Sequence, residues 1–110
     1  MSATNKLVQA PPYPVEKAIE HLGRNLKTAR LRRRMTIAEA AARLGTGVRA
    51  IMMAERGSPS TSMATYVGLL WLYNLLDQLD DVANPMLDGR GLALLPKMKR
   101  VRHEKIDNDF

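Results

Sequence analysis

The stretch TIAEAAARLGTGVRAIMMAERG, residues 36–57, holds two short helical runs separated by glycines. Thr36 and Glu39 fit a capping box, in which the hydroxyl satisfies one orphan amide at a helix start and the carboxylate another. A short helix from that start to Leu44 is predicted. Gly45-Thr46-Gly47 then interrupts it, because glycine reaches left-handed backbone angles at little cost. Val48 to Glu55 resumes a helical run, and Gly57 and Pro59 stop it. Two short helices flanking a tight turn are expected.

Working outward, Val15, Ala18, Ile19, Leu22, Leu26 and Ala29 recur at three- and four-residue steps, which predicts a helix from Val15 to near Arg33. Before it, Pro11, Pro12 and Pro14 and the lack of periodicity predict a flexible arm over residues 1–14. On the other side, Ser60, Thr61 or Ser62 can cap a fourth helix through about Leu72. Leu75, Leu76, Leu79 and Val82 predict a fifth. The expectation is an all-α, five-helix domain over residues 15–84. A C-terminal extension, partly disordered and ending in a basic tail, is expected over residues 85–110. Within it, Gly91 to Leu95 reads as a strand or a docking segment. Lys97 to Phe110 reads as a charged disordered end or a partner-binding segment.

Composition narrows the classes of function. The chain has 110 residues, a net charge of +6, no cysteine, and is 45% hydrophobic but only 5% aromatic. Disulfides and thiolate metal sites are excluded, and His21 and His103 lie too far apart to suggest a metal site, so neither metal nor cofactor is expected. No apolar run of about eighteen residues and no signal-type apolar stretch is present, so no membrane association and a cytoplasmic location are expected. No nucleophile with a neighbouring base, carboxylate pair or phosphate-binding glycine loop is recognisable, so an enzyme is not expected. The positive charge is clustered: Arg24, Lys27, Arg30, Arg32, Arg33 and Arg34 crowd one segment, and Lys97 to Lys105 another. Such clusters suit a polyanion partner, and equally a solvated face. An RNA-associated or structural basic protein is the rival class, disfavoured by the scarcity of aromatic stacking platforms.

Thr36, Ala40-Ala41, Gly45, Ile51 and Glu55-Arg56-Gly57 together resemble the XRE-type helix-turn-helix family of lambda repressor, Cro and the HipB-like antitoxins. The resemblance covers about Leu22 to Asp80. It implies a lambda-repressor-like domain whose second motif helix enters the major groove of double-stranded DNA. Gly47, Val48, Arg49 and Met53 are then the groove-facing positions, and only Arg49 carries a strong base-reading group. Lys27, Arg32, Arg33, Arg34, Thr46 and Arg56 are the phosphate candidates. The resemblance also pairs Arg30 with Glu55 as a partly buried structural ion pair. Ile37 stands where the family often has glutamine, so one polar DNA contact is missing. Of Met52 and Met53, one is expected in the core and the other toward the groove.

Between Tyr66 and Leu79 the apolar residues are too many for one face. Leu70, Trp71, Tyr73 and Leu76 are expected at a homodimer interface, the alternative being a larger internal core. Leu95-Pro96-Lys97 and the bases after it resemble tails of small XRE-type regulators found with HipA-like kinase toxins. The implied function is a transcriptional repressor that is also the antitoxin of a type II toxin-antitoxin pair, or else a free-standing phage or host repressor.

Overall fold

The computed structural model describes residues 5–102, with side chains to residue 95; among these residues every regular element is a helix and there is no strand. The contacts divide the chain into two units, Met1–Leu76 and Asp77–Phe110.

In the first unit, α1 (Lys6–Gln9) is a single turn, capped where the Val8 amide donates to Asn5 Oδ1 at 3.3 Å. It lies within the expected arm; one turn is too short to show as periodicity, and Asn5 was its only signal. The long helix α2 (Tyr13–Arg32) starts before Val15, because Pro14 stands in the first turn, where a missing N–H costs nothing. Next, α3 (Ile37–Leu44) carries the capping box: the Glu39 amide donates to Thr36 Oγ1 at 3.0 Å and the Thr36 amide to Glu39 Oε1 at 2.8 Å. These bonds, the Thr36 amide first, hold the Glu39 carboxyl below its ordinary pKa. Gly45, at φ 78°, closes α3, and the amides of Gly45 and Thr46 donate to the Ala41 carbonyl. After the turn, α4 (Val48–Arg56) ends at Gly57, φ 72°. Ser62 caps α5 (Met63–Leu72), accepting from the Thr65 amide at 3.1 Å.

The core joins Leu26 of α2, Ala40 and Ala41 of α3, Ile51 and Ala54 of α4, and Leu69 of α5. The dimer expectation needs correction here. Tyr73 is fully buried and Leu70 nearly so, because both turn into this core beneath α5. A side chain inside its own domain cannot meet a second subunit. Trp71 and Leu76 remain exposed.

Two later expectations also change. Leu76–Asp81 is a 3₁₀ helix rather than a fifth α-helix. Asn74, at φ 61°, ends α5, with the Leu75 amide donating to the Leu70 carbonyl, so no free cap precedes the segment. Asp80 and Asp81 also sit at its carbonyl end, where negative charge opposes the peptide dipoles. After a second 3₁₀ turn at Pro85–Leu87, Gly91 to Leu95 belong to a helix, α6 (Gly89–Arg102), and form no strand. Asp88 nucleates it, accepting from the Gly91 amide through Oδ1 at 2.9 Å. The helical backbone runs on through 97–102, part of the stretch expected to be either a disordered end or a partner-binding segment; residues 103–110 lie outside the described residues.

The closest packing in the first unit is between α2 and the end of α4. A Cβ placed on Gly23 would lie 2.5 Å from the Ala54 carbonyl oxygen, and one on Gly57 would lie 2.5 Å from Glu20 Cα. Gly45 has the same left-handed backbone but open space around it. Gly45→Ala should therefore cost only the backbone strain, about 1 kcal/mol. Gly57→Ala should add overpacking against a main chain, roughly a further 1 to 3 kcal/mol. Urea denaturation of the two variants checks this, and equal losses would contradict the close approach.

Candidate nucleic-acid interface

The side of α4 turned away from the core presents Val48, Arg49, Met52 and Arg56 to solvent, while Ile51 and Ala54 face inward. This spacing follows from 3.6 residues per turn. Of the two methionines, Met52 is the more exposed, whereas Met53, the one expected toward the groove, is half-buried; neither lies in the core as one of them was expected to. The first turn of α4 has Gly47 as its cap and no side chain bonded to it. The amides that begin a helix have no intrahelical partner, so this end offers donors and the positive end of the helix dipole to an anion. No atom lies within 4 Å of where a Gly47 Cβ would be, so a ligand backbone can approach closely.

Two shallow grooves flank this face. One, of about 160 Å³, is lined by Lys27, Ile37, Met52, Glu55 and Arg56, and so brings together two of the expected phosphate residues from different helices. The other joins Thr46 and Leu44 to Ser62, Ala64 and Thr65 at the start of α5. Ser62 and Thr65 were not singled out from the sequence beyond the capping role. Their hydroxyls lie 3.0 Å apart and border the turn, and the only available signal was the run of hydroxyl residues from Ser58 to Ser62.

The remaining arginines are distributed differently. Arg33 and Arg34 line a cleft with Arg43, Glu39, Leu72 and Asn74, to which α4 contributes nothing. Arg33 has a structural task there: its guanidinium donates to the Ala29 carbonyl and to the Tyr73 carbonyl, each at 2.8 Å, and stands 5.5 Å from the Tyr73 ring. It ties the ends of α2 and α5 together. Arg32 is exposed at the end of α2 and borders neither α4 groove.

Beneath the face lies the pair expected from the sequence. Arg30 Nε donates to Glu55 Oε2 at 2.6 Å and Nη2 to Oε1 at 3.0 Å, while Nη1 donates to the Met35 carbonyl at 2.8 Å. Both side chains are over nine-tenths buried. Glu55 raises the Arg30 pKa against the opposing effect of burial. Nearby, the Tyr73 hydroxyl is buried without a hydrogen-bond partner. Burial foremost, then the Glu55 charge, pushes its pKa up, and burial does the same to Tyr66.

The chain matches no family model, no curated protein and no solved structure.

Two stability outcomes follow from this geometry. Glu55→Gln should cost about 3 to 5 kcal/mol by leaving a buried guanidinium uncompensated. An Arg30→Met, Glu55→Leu double variant should lose less than the sum of its single changes, as denaturant midpoints will show. The raised tyrosine pKa values mean that the fold favours the neutral phenols. Their contribution is complete below pH about 10 and is lost as pH climbs through the raised values. Tyr73→Phe should therefore be neutral or stabilising at pH 7 and should reduce the alkaline loss of stability in a pH series of thermal melts.

Proposed function

We propose that the chain is a sequence-specific double-stranded DNA-binding repressor of the XRE type, with α2 to α5 arranged as a lambda-repressor-like domain and α4 as its reading helix. The observation that supports this most is the uncapped, glycine-lined start of α4, with Arg49 exposed beside it and the Lys27–Arg56 groove alongside. An α-helix fits the major groove, where an arginine fork matches the two acceptors of guanine. Lys27, Arg56, Thr46 and the hydroxyls of Ser62 and Thr65 border the same face and suit phosphates, which set register rather than sequence. Val48 and Met52 offer only apolar contact, for thymine methyls or for space-filling, so part of the specificity falls to DNA shape. A dimer on two half-sites one helical turn apart is the mode of binding this reading entails. It makes the protein a binding module working in the cytoplasm, not an enzyme. The likeness of Leu95-Pro96-Lys97 to regulator tails extends the proposal to an antitoxin role, with a HipA-like kinase toxin as partner.

Fluorescence titration against upstream operator DNA and random duplex tests the reading. Arg49→Ala should lose about 1 to 3 kcal/mol of discrimination at one guanine position, whereas Lys27→Ala should weaken all sequences alike and reduce the salt slope by about one. Equal affinity for operator and random duplex would remove the claim of sequence reading. An affinity indifferent to salt would remove the phosphate contacts.

A further inference from the structure

Residues 77–102 combine two features that do not suit a surface left bare. From Asp77 to Leu95 no side chain is buried, although Val82, Met86, Leu87, Leu92, Leu94 and Leu95 are all large and apolar. Val82, Met86 and Leu87 are each at least 66% exposed. Water-exposed apolar surface concentrated on so short a segment marks an interaction site. The charges of the same segment are fully sorted. Residues 77–88 carry Asp77, Asp80, Asp81 and Asp88 and no base, and residues 89–102 carry Arg90, Lys97, Lys99, Arg100 and Arg102 and no acid.

A surface with an acidic half, a basic half and apolar residues in both is complementary to itself in the reversed direction. A two-fold axis sets each half against the other half of its mate, since in such an interface residue i meets j and j meets i. Both charge contacts are then attractive, and the apolar side chains are covered from both copies. Among the described side chains, which reach residue 95, Arg90 pairs with none of these acids. We propose that residues 77–102 are a self-association surface whose partner is the same segment of a second copy of this chain, acidic half against basic half. The inference assigns a surface to the dimer that the proposed function entails, but it rests on residues 77–102 alone and its test contains no DNA, so its failure leaves the reading of DNA by α4 to be judged by the titrations above.

The test uses three full-length chains: the unaltered protein, an acid-reversed chain (Asp77→Lys, Asp80→Lys, Asp81→Lys) and a base-reversed chain (Arg90→Glu, Lys97→Glu, Arg100→Glu). Sedimentation equilibrium at low salt gives the mass of each alone and of the two reversed chains mixed. The unaltered protein should be a dimer, each reversed chain should associate at least about ten-fold more weakly, and the mixture should regain dimers, because reversal on both sides restores attraction. Recovery on mixing also shows that the reversed chains are folded. A monomeric unaltered protein would overturn the proposal. So would dimers that persist in both reversed chains, which would move the interface elsewhere, for example to the exposed Trp71 of α5. A mixture that stays monomeric would overturn it too, assigning the complementarity to contacts within one chain.

Discussion

Where the end of α4 meets α2, main chain lies against main chain with no side chain between, and the rest of the first unit depends on that approach. It requires glycine on both sides, at Gly23 and at Gly57. With the two helices this close, Glu55 near the end of α4 is within reach of Arg30 of α2, and the same guanidinium holds the Met35 carbonyl just before α3. Three elements are thus fixed through one buried cation. Such a pair adds little net stability over apolar residues, because desolvation offsets most of the attraction, yet it penalises any arrangement that separates its members. Its effect is to fix the angle of α4, and with it the direction in which Arg49 and the free amides of the first turn point.

Much of this was legible in residues 36–57. The capping box, the glycine turn and the second glycine stop are local chemistry, set by a few neighbouring residues, and α3 and α4 form where those signals stand. Gly57 was legible only in part, since its left-handed angle is a local property but its contact with Glu20 is not. Gly23 gave no signal, because a glycine inside a periodic helix reads only as a mild weakness until the opposing chain is known. The same distinction explains α6, whose start was signalled by Asp88 but obscured by the apolar run that follows. The site was legible as exposed positions on α4. The grooves beside it were not, because Lys27 and Arg56, or Thr46 and Thr65, become neighbours only through packing.

Tyr73 and Arg33 show how an apparent surplus can be absorbed. The run from Tyr66 to Leu79 held more apolar residues than one helix face accommodates, but Tyr66, Leu69, Leu70 and Tyr73 fall at three- and four-residue steps on one buried face, and the chain turns at Asn74 directly after them. That places the Tyr73 ring beside Arg33 and its carbonyl where Arg33 can bind it. An arginine counted among the phosphate candidates thus also answers the carbonyl ends of two helices, which carry partial negative charge. Sequence clustering cannot separate those roles, since both call for the same cation.

The two units meet water in opposite ways, and charge connects their proposed roles. The first unit has a buried core and carries Lys27, Arg49 and Arg56 on or beside α4, with Arg33, Arg34 and Arg43 at a separate cleft. The second has no buried side chain among 77–95 and begins with an acidic stretch that repels phosphate. Under the proposed pairing, the acids of one copy face the bases of the other, so the field directed at a polyanion is left to the first unit. On both proposals, pairing would offset that repulsion, and by linkage DNA would favour the dimer by the same factor by which pairing raised the affinity. Since both proposed contacts are electrostatic, rising salt would then weaken pairing and DNA binding together, the loss of one hastening the loss of the other.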